Sequence, residues 1–373
     1  MSAARPPAMS DVAARAGVSH QTVSRVLNDH PSVRPETRQR VLQAIAELGY
    51  RRNTAARTLV TRRSGTIGVM TSGSALFGPT STLIAVEGAA RDAGLFVSVA
   101  TVLRWETEAL HRALEHFMAQ GVDGVVVIAA HDDAVSAVHE FDAPVPVVMV
   151  GPRDLPAGGV HAVAVDQYGG ARLATRHLID LGHHEILHLA GPQDWIDGRA
   201  RVHGWRDELA AAGLVGGPLV PGSWSADRGY AVGRELAAGA LPTAVFAAND
   251  QLALGLLHAF AEAGVRVPDD VSVVGFDDVD GSAHFVPPLT TVRQEFGELG
   301  RRCLEMLRAA IAGEPVLSDV IAPRLVVRQS TAPPREPAPV DPGLPALDRT
   351  NVSANMNAGD SPWARDDARW STP

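Results

Sequence analysis

From residue 65 to about 332 the chain alternates short, continuous apolar runs with segments of helical length. The runs lie at 65–70 (GTIGVM), 95–100 (LFVSVA), 124–129 (GVVVIA), 146–150 (PVVMV), 185–190 (EILHLA), 244–248 (AVFAA) and 271–275 (VSVVG). Helix-length segments fall near 80–93, 106–119, 167–181, 198–212, 226–239, 250–263 and 294–312. A strand that is apolar along its whole length has both faces covered, so the pattern requires parallel sheets flanked by helices. Seven such runs imply two sheets and two lobes, with ligands expected near the carboxyl ends of the strands.

A different pattern precedes this core. Residues 10–28, SDVAARAGVSHQTVSRVLN, read as two short helices joined by a tight turn. Ser10 is expected to cap the first helix, whose apolar positions are Val12, Ala13 and Ala16. Gly17 supplies a left-handed C-cap, Val18 fills the corner, and Ser19 caps the second helix. At roughly 100° per residue, His20, Gln21, Ser24, Arg25 and Asn28 share one face of that helix, and Val23, Val26 and Leu27 lie opposite. A polar face of this kind suits base edges, since Arg pairs bidentately with guanine and Gln with adenine. The arrangement is that of a helix-turn-helix; the alternative is an amphipathic helix with a solvated polar face. A third helix is expected over 35–48, started by Pro35, ended by Gly49, with Val41, Leu42, Ile45 and Leu48 as its apolar stripe. Residues 51–64, RRNTAARTLVTRRS, carry no core stripe. Asn53 can cap two helical turns through about Leu59, too few to hold alone in water, so this segment is expected to order only on a partner.

Charge divides the chain in the same way. Residues 1–63 carry 11 Arg against 4 Asp and Glu, a balance of +7, whereas the remainder carries 22 against 38, a balance of −16. No lysine occurs, so all 33 basic residues are arginine. A basic head on an acidic body points to a nucleic-acid-binding segment attached to a core that does not bind nucleic acid. The single cysteine, Cys303, cannot form an intramolecular disulfide and is expected to pack inside a helix. There is no secretory h-region and no apolar run near 18 residues, so a soluble cytoplasmic protein with no membrane partner is expected. Residues 333–373, rich in Pro, Asp, Asn and Ser, read as a disordered tail.

QTVSRVLN, PETRQRVLQAIAELGYRRN and SGTIGVM, then LGHHEILHLAGP, AANDQLALGLL, VSVVGFDD and PPLTTVRQEF, resemble the LacI family of bacterial transcriptional regulators over about 10–332. The resemblance implies an all-α helix-turn-helix headpiece (8–50), a hinge helix or linker (51–64) and a periplasmic-binding-protein-like α/β core of two parallel-sheet lobes (65–332). The N-lobe would comprise about 65–165 and 294–322, and the C-lobe about 166–292 and 323–332. It implies a homodimer on a pseudo-palindromic operator, in which two-fold symmetry matches half-site symmetry. His20, Gln21 and Arg25 would read bases, with His20 the position least transferable within the family. Ser19, Thr22, Ser24, Asn28, Ser32 and Thr37 would touch phosphates, which position the head without reading sequence. In the hinge, Asn53 would also touch DNA, and Leu59 would wedge into a minor-groove step beside the small Ala56.

The resemblance also implies a sugar pocket. TSGSALFGPT and WSA resemble the pocket segments of galactoside-responsive members, and the implied effector residues are Ser72, Leu76, Pro79, Thr82, Asp197, Arg201, Trp224, Asn249, Asp277, Gln294 and Phe296. Arg, Asn and Asp can hold vicinal hydroxyls in paired hydrogen bonds, and an indole offers an apolar face to a pyranose. Two positions depart from the galactoside pattern: an Asp expected after Val150 is Gly151, and a Ser expected before the pocket Arg is Asp197. A galactoside-like sugar is therefore one reading; another sugar, a sugar phosphate or a nucleobase, acting even as co-repressor, is the alternative.

Rival classes lack their parts. No G-x-S-x-G and no Walker-type loop occurs, and the run Asp277, Asp278, Asp280 lacks EF-hand spacing. His184 and His188, four apart on a strand, do not converge on one metal and read as surface and core residues. An export-type binding protein would need a signal and no head, and a recombinase would need a catalytic domain. The expectation is a repressor, not an enzyme, with no cofactor or metal, whose effector separates the hinges and lowers operator affinity. Leucine heptads are absent from the tail, so a dimer is expected and not a tetramer.

Overall fold

The computed structural model describes residues 5, 7–50, 63–73, 75–103, 106–140, 143–152 and 160–335. The hinge positions Asn53, Ala56 and Leu59, and the expected disordered tail from residue 336 onward, lie outside the described residues.

Three helices form the head: α1 (Met9–Ala16), α2 (His20–Leu27) and α3 (Pro35–Leu48). They close around Val12, Ala13, Ala16, Val23, Val26, Val41, Ala44 and Tyr50, all buried. Gly17 and Gly49 end their helices at φ 64° and 61°, values a side-chain-bearing residue adopts only at a cost. Two expectations need correction. Ser10 does not cap α1; the helix starts at Met9, two residues earlier than such a cap requires, and the Asp11 carboxylate accepts the Ala8 amide at 2.7 Å, so an acid at the third helical position does the capping. Leu42 is 52% exposed, because Val41, Ala44, Ile45 and Leu48 already occupy the i, i+3, i+4, i+7 face that meets α1 and α2. Arg15 on α1 pairs with Glu47 on α3 at 2.5 Å, and its hydrogen bond holds the Glu47 carboxyl below the usual range.

The core is built on two six-stranded sheets. In the first, β1 (Thr66–Ser72), β2 (Phe96–Val102), β3 (Gly124–Ile128), β4 (Val147–Val150), β5 (His161–Val165) and β11 (Asp319–Ile321) are all parallel, in the order β11-β5-β4-β3-β1-β2. One face is covered by α4 (Phe77–Asp92) and α11 (Phe296–Ala312), which bury Val86, Ala90, Leu299, Cys303 and Leu307 against it. The other is covered by α5 (Thr107–Gln120) and α6 (Asp132–Glu140) through Leu110, Leu114, Phe117 and Val138.

The second sheet runs β12-β10-β9-β8-β6-β7 and comprises β6 (Ile186–Leu189), β7 (Leu219–Val220), β8 (Ala244–Ala247), β9 (Ser272–Asp277), β10 (Thr290–Arg293) and β12 (Arg324–Val326). It is parallel except for β12, which pairs antiparallel with β10. Helices α9 (Ala226–Ala238) and α10 (Asp250–Glu262) cover one face, and α7 (Gln167–Asp180) and α8 (Ile196–Ala211) cover the other. The chain passes between the sheets three times: from β5 into α7, from β10 into α11 and from β11 into β12. The seven apolar runs all form strands. Five further strands, β5, β7, β10, β11 and β12, lie outside those runs; they are short or rich in Thr, His, Arg and Asp. Helix α6 likewise falls outside the expected helical segments. His184 is exposed and His188 buried, as expected. No helix among the described residues is long and apolar enough to cross a membrane.

Candidate functional site

The head presents one polar surface. His20, Gln21, Arg25 and Asn28 are exposed along α2, opposite buried Val23 and Val26. The Ser19 hydroxyl accepts the Thr22 amide at 3.2 Å and lies 2.9 Å from the Thr22 hydroxyl, so this pair organises the helix start. Half-buried Ser24 accepts from Asn28 at 3.5 Å. Ser32 is tied to His30, whose Nδ1 lies 2.8 Å from its hydroxyl, and half-buried Thr37 lies in the first turn of α3. Arg38 fixes the intervening turn by donating to Asp29 at 2.6 Å and to the His30 carbonyl at 3.1 Å. Exposed donors and acceptors thus stand on a helix whose ends and rear face are already satisfied.

A second surface is enclosed between the two sheets. A cleft of about 820 Å³ is lined by Leu76, Pro79, Asp197, Arg201, Trp224, Asn249, Asp277, Gln294 and Phe296, together with Trp195, Gln251 and Asp280. A smaller chamber of about 340 Å³ adjoins it, sharing Pro79, Trp195, Asp197, Gln294 and Phe296. Nine of the eleven expected pocket residues therefore meet in the cleft, and Thr82 lines the chamber. The Thr82 hydroxyl donates to the Gly78 carbonyl at 2.8 Å, a bond internal to its helix. Ser72 lines neither cavity; it ends β1 in register with Val102.

Each polar side chain has a local reason for its place. Asp277 ends β9, and Asn249 caps α10, its Oδ1 accepting the Leu252 amide at 2.8 Å while its Nδ2 donates to the Trp224 carbonyl at 3.2 Å. Arg201, on the inner face of α8, is 3% exposed. Its guanidinium donates to Gln167 Oε1 at 3.0 and 2.8 Å and to the Ala248 carbonyl at 2.5 Å. It lies 3.6 Å from Asp277 and 3.8 Å from the centre of the Phe276 ring. Gln294 donates to Asp277 at 2.7 Å and accepts from Gln167 at 2.8 Å. Gln167, Gln294, Asp277 and Arg201 thus form one closed chain of bonds at the points where the backbone passes between the sheets. Asp277 has φ 114° and Asp278 φ 54°, a region costing about 1–3 kcal/mol for a residue with a side chain. Asp278 is anchored by Arg293 and Arg328.

Burial raises the carboxyls here. Asp277 is pushed up to about 7, with Arg201 opposing the shift and Asp250 adding to it. Asp250, buried and accepting from Ser282, Thr291 and the Val279 amide, is pushed up to about 6. Asp197 is also raised by burial, against the attraction of Arg201. Trp224 lies with Arg201 5.3 Å from its ring centre and Trp195 edge-on at 5.6 Å; its buried Nε1 has no hydrogen-bond partner among the described residues. The rim is clasped by the Ile196 amide donating to the Ala130 carbonyl at 3.1 Å, His131 edge-on to Trp195 at 4.6 Å, and one Arg199 nitrogen donating to both Asp132 oxygens at 2.7 Å. Sequence reasoning missed Trp195 and Gln167. Trp195 stands two residues before Asp197, and Gln167 opens α7 directly after β5; an aromatic or amide at a strand-to-helix junction was the available signal.

Residues 8–53 match the family model "Bacterial regulatory proteins, lacI family", and residues 175–331 match "Periplasmic binding protein-like domain". The chain is 37% identical over 329 residues to the lactose operon repressor of Escherichia coli K12, covering 88% of this chain and 91% of that protein. It is 39% identical over 338 residues to the HTH-type transcriptional regulator CelR of Thermobifida fusca, covering 87% and 98%. The lac repressor dimer bound to operator and the anti-inducer ONPF superposes with a TM-score of 0.75 at 35% identity, covering 88% of this chain and 100% of that one. A CelR–cellobiose complex superposes with a TM-score of 0.64 at 36% identity, covering 87% and 99%.

Proposed function

Because this chain belongs to the lacI family of bacterial regulatory proteins, we propose that it is a homodimeric transcriptional repressor, that it grips a pseudo-palindromic operator and that it releases it when a small sugar of galactoside type enters the cleft. The observation that carries this reading is the convergence of Arg201, Asp277, Asn249 and Trp224 on one cleft of about 820 Å³, in a chain whose first 50 residues form a helix-turn-helix. Vicinal hydroxyls both donate and accept, which suits a carboxylate beside a guanidinium, and an indole suits the apolar face of a pyranose. His20, Gln21 and Arg25 are assigned to base edges. Ser19, Thr22, Ser24, Asn28, Ser32 and Thr37 are assigned to the phosphates, and Asn53, Ala56 and Leu59 to the minor groove at the dimer centre.

Control follows from the lobe junction. Gln167, Gln294, Asp277 and Arg201 bond across the strands on which the lobes turn, so a ligand bonded to them selects one lobe arrangement over another. A hundredfold loss of operator affinity corresponds to about 2.7 kcal/mol of coupling, within the usual range, and the coupling is reciprocal. Gly151 and Asp197 take a carboxylate from one wall and add one to another, which suits a glycoside held in a different pose. A sugar phosphate fits less well: Arg201 is already bonded, and Asp197 and Asp277 would face the phosphate.

The experiment is selection of bound DNA from a random pool, followed by calorimetry against a panel of sugars with and without the selected operator. Heat from a sugar, weakened by operator, is expected. Silence from every mono- and disaccharide rejects the sugar reading, and binding strengthened by operator makes the ligand a co-repressor.

A further inference from the structure

We propose that the rim of the cleft is a clasp closing the two lobes on each other, that the Arg199–Asp132 ion pair tunes it, and that ionic strength therefore shifts the core between lobe arrangements before any effector binds. The chain crosses between the lobes at β5 and β11, the two strands at one end of the first sheet, and at β10 and β12, the two at one end of the second. Joined only there, the lobes are free to open at the far side. The clasp stands on that side. One half is Ala130, His131 and Asp132, which follow β3, the fourth strand from the crossings. The other is Asp194 to Arg199, which follow β6, the fifth.

Backbone, rings and charge all cross the gap. His131 and Trp195 form an isolated antiparallel bridge, and their rings meet edge-on at 4.6 Å. His131 Nδ1 lies 3.3 Å from the Asp194 carbonyl. One Arg199 nitrogen donates to both Asp132 oxygens at 2.7 Å, while another donates to the Gln193 carbonyl of its own lobe at 2.9 Å. The guanidinium is thus steadied by one lobe and presented to the other. The Ile196 amide reports on the closure directly. Ile196 is the first residue of α8, and an amide in a first helical turn has no partner inside its helix. It donates instead to the Ala130 carbonyl of the other lobe at 3.1 Å, so parting of the lobes bares it to water. The Arg199 and Asp132 side chains are 33% and 66% exposed, within reach of salt screening. His131, Asp132, Asp194 and Arg199 line neither cavity, which separates the clasp from the effector contacts. Ala130, Trp195 and Ile196 line the inner chamber, so opening the clasp also opens that chamber. A shift between lobe arrangements changes every affinity that differs between them, the operator's included.

The test is hydrogen exchange of the full chain without ligand, resolved to the Ile196 amide, in the wild-type protein, Asp132→Asn and Asp133→Asn. Asp133 is the exposed neighbour of Asp132, so its variant loses the same charge from the same helix start. The Ala212 amide, bonded to the Glu208 carbonyl at the far end of α8, is the internal control. In the wild type, raising sodium chloride from about 0.05 to 0.5 M is expected to speed Ile196 exchange about two- to fivefold, the range of an exposed pair, and to leave Ala212 unmoved. Asp132→Asn is expected to show that faster exchange already at low salt and to respond no further, with an unchanged urea midpoint; Asp133→Asn behaves as the wild type. At one fixed salt concentration, Asp132→Asn is expected to bind the selected operator at least about twofold differently from Asp133→Asn. The clasp is overturned if wild-type Ile196 exchanges as an unprotected amide or is indifferent to salt, results that depend on no variant folding. It is also overturned if Asp132→Asn exchanges as Asp133→Asn does. Equal operator affinity of these two variants overturns its regulatory role. If the random pool yields no operator, the repressor reading has failed, and the exchange rates alone decide the clasp.

Discussion

Replacing Arg201 by Met strips the lobe junction of its cation while keeping most of the apolar stem. The guanidinium makes three charge-assisted hydrogen bonds, two to Gln167 Oε1 and one to the Ala248 carbonyl, and faces Asp277 at 3.6 Å. Bonds of this type contribute about 1.5–3 kcal/mol each, and breaking a buried ion pair from one side costs about 3–5 kcal/mol. The two figures overlap, because the same atoms are lost, and Asp277, already at about 7, escapes part of the penalty by taking up a proton. A loss of about 3–4 kcal/mol at pH 7.5 is expected, read as the shift in urea midpoint of the core by tryptophan fluorescence. In an Asp277→Asn background the loss shrinks by about 1–2 kcal/mol, since no carboxylate is left bare. A loss below about 1 kcal/mol in the wild-type background, or one unaltered by Asp277→Asn, would refute the assignment of Arg201 as the electrostatic centre of the junction.

Three further outcomes are expected. Asp277 and Asp250 have folded-state values of about 7 and about 6, above their ordinary ones; their contribution to stability is fully present below pH 4 and is lost as pH rises through 6 and 7. Buried His183 and His188 and half-buried His177, lowered by desolvation, oppose this on the acid side, so the measurement is the difference between wild type and Asp277→Asn in thermal scans from pH 5 to 8, and a constant difference would count against the shift. Cys303, buried and pushed up to about 12, should react with a thiol reagent only at the rate of core opening, with urea accelerating labelling in step with unfolding. Arg25→Ala should weaken the selected operator by about 1–3 kcal/mol and relax specificity at one base position, whereas a phosphate-type contact such as Ser32→Ala should weaken all sequences alike; a uniform effect of Arg25→Ala would remove it from base reading.

Legibility in the sequence followed burial. Strands such as GVVVI and SVVGFD sit in the middle of their sheets and are buried throughout, so their composition alone marks them. Strands β11 and β12 lie at an edge, where Asp and Arg are tolerated, and nothing local separates them from loops; β10 is buried, and its two threonines hide it. In the head, Gly17, Ser19 and Pro35 announce their roles because each answers a backbone requirement. Ser10 misled because the helix begins ahead of it, with Asp11 reaching back to the Ala8 amide. In the cleft, Arg201, Asn249 and Asp277 were found through family resemblance. Trp195 and Gln167 were not, because their importance comes from where two lobes meet, a fact distributed over segments far apart in the chain. Asp197 was noticed as a departure, and it lines both the cleft and the adjoining chamber.

The edge strand β11 (Asp319–Ile321) pairs with β5 (His161–Val165) and completes the first sheet, while the head is finished by Tyr50. During synthesis at about 5–20 residues per second, the head therefore emerges complete roughly 15–50 s before the ribosome delivers the last strand of the lobe that begins at residue 65. A nascent chain owns a folded reader before it owns a folded regulator.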